Sequence, residues 1–219
     1  MNLLAIETAT EACSVALLCG DALFDRSELA PRRHAELVLP MAEGLLAEAG
    51  ITRRQLDAIA VGQGPGAFTG VRLAISVAQG LALALDIPVV PVSSLATLAM
   101  QAPRNGAAIV AAIDARRGEI YAGAFRFDPD GLVEPLGLEH VLPASDLVLP
   151  QAAAWNVLGT GWRAYGDAIR ERRPSPPRWA DGDRYPQACD VARLAAPRFA
   201  AGKGVAPEQA LPVYLRDKV

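Results

Sequence analysis

The stretch AIAVGQGPGAFTGVRLAISVAQGLALALD, residues 58–86, decides the fold of this 219-residue chain. Its first five residues form an apolar run of the length of a buried strand. A glycine–proline turn follows at 63–66, and residues 67–85 predict a long helix. This helix is apolar on almost every side, so each side has to be covered. We expect its own sheet to cover one side and a second helix to cover the other, with a second protein as a further candidate.

Small residues repeat at every fourth position along this predicted helix. They form one stripe to which another backbone can come close, and the stripe consists of Gly70, Ala74, Ala78 and Ala82. A membrane-spanning helix is the alternative, because the apolar run nearly has the required length. A charge at membrane depth is costly, so Arg72 disfavours this alternative. We therefore expect no membrane association.

Composition limits the class of protein. Hydrophobic residues make up 52% of the chain and the net charge is -3, which suits one large or two small globular domains and gives no overall electrostatic signature for nucleic acid. Three cysteines without a CxxC pattern predict neither a disulfide framework nor a zinc site. The chain begins directly with a strand-like run and shows no signal-peptide pattern. The cytoplasm is therefore the expected location.

Hydrophobic periodicity predicts an α/β fold with two domains. The first domain, 1–104, is expected to contain strands at 2–6, 13–19, 22–29, 58–62 and 88–91, and helices at 33–49, 67–85 and from 93 to 102. The second domain, 105–219, is expected to begin with strands at 107–113 and 119–127. Its weaker predictions are strands at 138–142 and 155–158, helices at 144–149 and 163–171, a loop at 172–186, a last helix at about 187–201 that could pack back on the first domain, and an extended tail from 207.

Motifs for nucleotide, metal and nucleophile chemistry are missing from the sequence. The turn at 63–66 has no lysine for a P-loop. A dinucleotide fingerprint requires an acidic residue at the end of the next strand, whereas Asp86 lies before that strand. His34 and His140 fit no metal-binding spacing, and no GxSxG stretch occurs. We expect tight turns and close packing to explain Gly62, Gly66 and Gly70.

One acidic residue follows the first strand of each predicted domain. Glu7 lies in IETAT, and Asp114 lies in AIDAR. In nucleotide-binding folds with two such halves, these turns can hold phosphate through backbone N–H groups and a metal through a carboxylate. Ordinary turn residues are the alternative. The candidate nucleotide cleft consists of Glu7, Thr8, Thr10, Asp114 and Arg116.

Several motifs occur in an order that resembles a known family. They are IETAT at 6–10, GPGAFTGVR at 64–72, PVSSL at 91–95, DARRGEIY at 114–121 and the closing PVYLR at 212–216. Together they resemble the bacterial TsaB (YeaZ) family of tRNA threonylcarbamoyladenosine biosynthesis proteins. The resemblance covers most of the chain and thins after about residue 127. Its most specific part is GPGxFTGxR.

The resemblance implies a two-domain actin-like, Hsp70-like (ASKHA) fold, in which each domain is a mixed sheet with helices. It implies a non-catalytic subunit that forms a heterodimer with TsaD, the transferase that places threonylcarbamoyl on adenosine 37 of tRNAs reading ANN codons, and an assembly that the ATPase TsaE joins. It also implies a homodimer in isolation and contact with tRNA only through the complex. No nucleotide is expected on the chain by itself, whereas ATP or ADP could be present in the complex with TsaD and TsaE.

The resemblance places the pairing surface on the two helices of the first domain, which agrees with the uncovered side of the long helix. Arginine at Ala74 or Ala78 is accordingly expected to abolish pairing and to leave the monomer folded. The expected partner-interface residues are Leu37, Met41, Leu45, Phe68, Arg72, Leu73, Ala74, Val77, Ala78 and Leu81.

Three other functions stay open at this point. A stand-alone ATP-dependent kinase of the same fold needs a carboxylate that Asp114 could supply, but also an adenine-side glycine loop, for which the second domain has only scattered glycines. A metalloprotease of the M22 type needs an HxxxH pair, which this chain lacks. A dimeric scaffold without nucleotide is the third. We expect no catalytic and no metal-binding residue in this chain.

Overall fold

The structure, a computed structural model, describes residues 1–148, 152, 154–171 and 175–216. The chain forms two compact units, Met1–Thr97 with Pro186–Val213, and Leu98–Tyr185 with Tyr214–Val219. The first unit thus ends before the boundary expected at residue 104, because Leu98 is buried against Gly159 of the second unit. The chain also returns to the first unit after residue 185, so the expected second domain is interrupted.

The first unit is built on a five-stranded mixed sheet. Its strands are β1 (Asn2–Glu7), β2 (Ala12–Cys19), β3 (Ala22–Leu29), β4 (Ala58–Gly62) and β5 (Val89–Val92). In the order β3-β2-β1-β4-β5, the first three form the expected antiparallel meander, and β4 and β5 are parallel to β1. Ile6 is paired with Val15 on one side and with Val61 on the other, so these apolar side chains share one face.

Helices cover both faces of this sheet. The α-helices among the described residues are α1 (His34–Glu48), α2 (Phe68–Leu85), α3 (Ser94–Ala99), α4 (Thr160–Arg170) and α5 (Ala188–Ala200). Helices α1 and α2 pack on the face that carries Leu4, Ile6 and Val15. Helix α5 packs on the opposite face, where the Ala188 N–H donates a hydrogen bond of 2.9 Å to the Ser14 hydroxyl. The last helix therefore belongs to the first unit.

The small-residue stripe of α2 faces the sheet of its own unit. Ala74, Ala78 and Ala82 are fully buried, and α2 lies against β4 and β1. The close backbone approach that these residues permit is thus made inside the unit. Neither Ala74 nor Ala78 is accessible to a partner, which corrects the interface role expected for both.

A segment after α5 completes the first unit. Residues 205–213, which we call the strap, begin where Val205 exchanges backbone hydrogen bonds of 2.8 and 2.9 Å with Val89 of β5. The strap contains one 3-10 turn, Pro207–Gln209, and continues without regular structure. It forms most of the expected tail, of which residues 217–219 lie outside the described part.

Strands of the second unit, within the described residues, are β6 (Ala108–Arg116), β7 (Glu119–Phe127), β8 (Val133–Pro135), β9 (His140–Pro143), β10 (Trp155–Leu158) and β11 (Trp179–Asp181). They form one sheet in the order β11-β10-β6-β7-β8, with β9 also paired to β7. The core of the unit lies between this sheet and α4, where the rings of Trp155 and Trp162 meet edge to face with centroids 6.2 Å apart.

Short elements account for the differences from prediction in this unit. Strand β11 lies where a loop was expected, because three residues are too few to show a periodicity. The helix expected at 144–149 is a single 3-10 turn, Ala144–Asp146, and residue 149 lies outside the described residues, as do residues 172–174 of the expected loop.

Candidate functional site

Glu7, at the end of β1, is a fully buried carboxylate that joins three segments of the first unit. Its Oε1 accepts a hydrogen bond of 2.8 Å from the Ala9 N–H, and its Oε2 accepts one of 2.8 Å from the Ser94 hydroxyl at the start of α3. A Cβ atom at Gly62 would lie 2.0 Å from Oε2. No local sequence pattern indicates the contact between Glu7 and Ser94, because 87 residues separate the two partners.

The glycine turn after β4 packs directly on the turn that follows β1. A Cβ atom at Gly66 would lie 2.4 Å from the Ala9 carbonyl oxygen, and one at Gly70 would lie 2.0 Å from the Thr8 carbonyl oxygen. The Thr8 hydroxyl donates a hydrogen bond of 2.7 Å to the Gly70 carbonyl, and the Ala67 N–H donates one of 2.7 Å to the Ala9 carbonyl. The prediction that these glycines serve close packing is confirmed.

Thr10 completes the turn and is also buried. Its carbonyl lies 3.0 Å from the His34 Nε2, which donates to it, and its hydroxyl makes no hydrogen bond within the described part of the chain. A phosphate cradle needs free backbone N–H groups, whereas the Ala9 N–H is bonded to Glu7. The first-unit residues of the candidate nucleotide cleft therefore lie together in a turn whose polar groups mostly bind their own chain.

The buried Glu7 carboxyl is expected to make stability depend on pH. Burial raises its pKa, and hydrogen bonds from the Ala9 N–H, the Ser94 hydroxyl and the Thr8 N–H act against the rise. A raised folded-state pKa means that the carboxyl contributes stability below its unfolded pKa of about 4.3, and that this contribution is lost as the pH rises through the folded-state pKa. The free energy of unfolding of the wild type should therefore fall relative to that of Glu7→Gln as the pH is raised above about 4.

Denaturant unfolding of the wild type and of Glu7→Gln, at pH values from about 4 upward, measures the difference between their free energies of unfolding. Glu7→Ala is the comparison variant: it leaves the Ala9 N–H unpaired and a cavity at a fully buried position, so it should cost about 2–4 kcal/mol. Parallel pH profiles of the wild type and Glu7→Gln would exclude Glu7 as the titrating group.

Asp114, at the end of β6, is engaged within the second unit. Its Oδ1 accepts hydrogen bonds from the Arg116 N–H (2.7 Å) and the Tyr165 hydroxyl (3.3 Å), and its Oδ2 lies 3.1 Å from the Arg116 guanidinium. Its N–H donates to the hydroxyl of Thr160, the first residue of α4, at 3.0 Å. The structure thus brings Asp114 and Arg116 together, and separately Glu7 with Thr8 and Thr10. That the two sets share one cleft stays a prediction.

The residues expected at a partner face divide by exposure. Leu45, like Ala74 and Ala78, is fully buried in the core, so its expected interface role is corrected as well. Phe68 is 47% exposed, and the Arg72 guanidinium lies 3.6 Å from the centre of its ring. Half-buried positions at the outer side of α1 and α2 are Leu37, Met41, Leu73, Val77 and Leu81.

These accessible residues define the helix-pair face, the outer surface of α1 and α2. Sequence reasoning missed three members of it that lie away from the buried stripe: Leu83, which is 74% exposed, and the exposed glycines Gly44 and Gly80. A Cβ atom at either glycine would have open space around it. Once the alanines of the stripe are known to be buried, a helical wheel places Gly80 on the outer side.

The described residues offer no metal site, and the thiols of Cys13 and Cys189 are not activated. Within that part of the chain, no group of three His, Cys, Asp or Glu side chains is placed to hold a metal ion. Burial raises the pKa of the Cys13 thiol to about 11, and burial likewise raises that of Cys189 to about 11. A nucleophilic cysteine requires a lowered pKa, so these two thiols are suited to packing.

Helix α2 is long and apolar enough to cross a membrane by length and composition alone. Its buried residues, among them Val71, Ile75 and Ala82, lie in the core of the first unit. The helix therefore occupies the position of a core helix that leaves one side uncovered.

Comparisons with known proteins agree on one family. The family model for TsaD, tRNA N6-adenosine threonylcarbamoyltransferase, matches residues 27–149. The chain is 43% identical to the tRNA threonylcarbamoyladenosine biosynthesis protein TsaB of Escherichia coli (strain K12), over 100% of this chain and 96% of that protein. It is 36% identical to the protein of the same name from Haemophilus influenzae (strain ATCC 51907 / DSM 11121 / KW20 / Rd), over 100% of this chain and 95% of that protein.

A solved structure extends the similarity to three dimensions. YeaZ from Pseudomonas aeruginosa matches with a TM-score of 0.90 and 48% identity, over 98% of this chain and 99% of that chain. The two mixed sheets with their helices and this match confirm the expected α/β fold class, in which each domain is a mixed sheet with helices.

Proposed function

Because the chain belongs to the TsaB family of tRNA threonylcarbamoyladenosine biosynthesis proteins, we propose that it is the non-catalytic partner of a TsaD-type threonylcarbamoyltransferase. In this proposal the transferase modifies adenosine 37 of tRNAs that read ANN codons, and this chain forms a heterodimer with it.

The helix-pair face carries the proposal. Its half-buried apolar side chains and the exposed Phe68 and Leu83 cover neighbouring parts of two helices, a composition typical of a surface that a partner covers. The family model of the transferase matches residues 27–149, which include α1 and α2. A transferase of that family thus has a counterpart of this helix pair, and two similar pairs can meet about an approximate two-fold axis.

The engaged acidic residues support the non-catalytic part of the proposal. Both oxygens of Glu7 accept hydrogen bonds from the first unit, and both oxygens of Asp114 are bound by Arg116 or Tyr165. Neither carboxylate is placed as a free base for a kinase reaction. We therefore propose that the chain by itself binds no nucleotide, and that ATP or ADP enters only with TsaD and TsaE.

The proposal also covers self-association, the other components and the location. We propose that two copies of the chain pair through the helix-pair face when no transferase is present, because an apolar surface of this kind favours association with whichever partner is available. In this proposal TsaE joins the assembled complex. The tRNA binds to that complex through the transferase. The cytoplasm is the proposed location.

Reconstitution of the tRNA modification, with and without this chain, tests the proposal. Gly80→Arg is the informative variant, because Gly80 is exposed with open space around it and lies within the helix-pair face. We expect the variant to fold and to lower transferase binding by about 30-fold or more, as a blocked interface centre does. Gly137→Arg is the matched control, because Gly137 is also exposed with open space but belongs to the second unit.

Two results would contradict the proposal. Modification at full rate without the chain would show that it is no required partner. ATP turnover by the purified chain, lost in Asp114→Ala, would favour the kinase alternative.

A further inference from the structure

The strap is held against α2 at two positions beyond its pairing with β5. The side-chain amide of Gln79 donates a hydrogen bond of 3.1 Å to the Ala210 carbonyl, and Ala210 itself is fully buried. Three residues later the Val213 N–H donates a hydrogen bond of 2.9 Å to the Gln63 carbonyl in the glycine turn. The strap is therefore fixed at both ends of the segment 210–213.

The sheet order places the strap and α1 on opposite sides of α2. Helix α1 packs on β2 and β3, α2 packs on β1 and β4, and the strap pairs with β5 at the far edge. On α2 itself, Gln79 points about 160° away from Val77 and Leu81, which share an apolar cluster with residues of α1. The outer side of α2 is thus bordered by α1 along one edge and by the strap along the other.

Leu211 is the exposed apolar side chain of this second border. It lies between the anchored residues Ala210 and Val213, and 62% of its surface is exposed. Because its neighbours are fixed, ordering Leu211 in a complex costs less conformational entropy than ordering a residue of a free tail. Its exposure contrasts with the full burial of Ala210 beside it.

We propose that the strap is the second wall of the partner-binding face and that Leu211 contacts the transferase. This inference rests on the proposed function and adds to it a segment that sequence reasoning left as a tail. The occupant is a transferase of the TsaD type, because the model of that family matches the residues that form α1 and α2. The strap lies beyond that match, so it is a contribution of this chain that the shared helix pair does not supply.

The test compares Leu211→Glu with Leu138→Glu in the full chain. Leu138 is 80% exposed and belongs to the second unit, so it controls for adding a carboxylate at an exposed leucine. We expect Leu211→Glu to weaken transferase binding by about tenfold or more, and Leu138→Glu to leave it unchanged. Thermal unfolding of both variants should match that of the wild type. Leu211→Ser, which adds no charge, should weaken binding by a smaller factor.

Parallel measurement of Gly80→Arg separates the two proposals. If Gly80→Arg prevents binding and Leu211→Glu binds normally, the strap inference is overturned and the partnership stands. If Leu211→Glu impairs only the pairing of two copies of this chain, the occupant is a second copy and the inference is again overturned. If neither variant changes transferase binding, the helix-pair face is not the interface and both proposals fail.

Discussion

Replacing Gly70 by alanine is expected to prevent stable folding of the first unit. A Cβ atom at this position would lie 2.0 Å from the Thr8 carbonyl oxygen and 3.1 Å from its carbon. These are backbone atoms of a turn that is itself held by the Thr8 hydroxyl bond to the Gly70 carbonyl, so the overlap cannot be relieved by rotating a side chain. Overpacking in a core costs about 1–3 kcal/mol when neighbours can adjust. We expect the cost here to exceed about 3 kcal/mol, a large part of the stability of a typical domain.

Gly80→Ala is the matched control on the same helix. Gly80 is exposed, and an added Cβ atom would meet nothing within 4 Å. Because alanine favours the helix over glycine, this variant should be more stable than the wild type by up to about 1 kcal/mol. Denaturant unfolding followed by circular dichroism measures both changes. A Gly70→Ala protein as stable as the wild type would show that the turn after β1 can shift away from α2.

Arginine at Ala78 is expected to unfold the first unit, whereas arginine at Gly80, two residues further, is expected to leave it folded. Ala78 is fully buried against the sheet, so its replacement places an unpaired charge in the core. An arginine remains charged at all accessible pH values, and burying it without a partner costs several kcal/mol or more. The sequence predicted a folded monomer that fails to pair for arginine at Ala78. We now expect this result for arginine at Gly80 instead.

Soluble expression, thermal unfolding and transferase binding distinguish the two variants. Ala78→Arg should lose all three, so a failed binding experiment with it says nothing about the interface. Gly80→Arg should keep the first two and lose the third. A folded, cooperative Ala78→Arg protein would contradict the packing of α2 on β1 and β4.

Local patterns predicted the elements around the deciding stretch closely. The strand expected at 58–62 is β4, Ala58–Gly62, and the helix expected at 67–85 is α2, Phe68–Leu85. Both are apolar, the helix is long, and a glycine turn separates them, which makes their limits visible in the sequence. By contrast, β11 has only three residues. It pairs with β10, from which α4 separates it in the sequence, so this pairing is not a local feature.

The candidate site was predicted less well than the elements. The sequence singled out the turn residues Glu7 and Asp114, with Arg116 close to Asp114, because acids after buried strands are conspicuous, but it did not indicate their distant hydrogen-bond partners. Ser94 lies 87 residues from Glu7, and the hydroxyl of Tyr165 lies 51 residues from Asp114 in sequence. Hydrogen bonds over such separations depend on how strands and helices come together, which no local periodicity encodes.

By itself, the sequence determined that an apolar helix follows a glycine turn, that this helix carries a stripe of small residues, and that it needs more cover than one sheet provides. Only the tertiary structure decided which side of that helix is buried. An amphipathic pattern specifies which residues share a face, but the face that meets the sheet is fixed by close packing at Gly62, Gly66 and Gly70 and by the strap, whose anchor on Gln79 lies 131 residues away. The stripe therefore packs on the sheet, and the opposite side of the helix stays exposed.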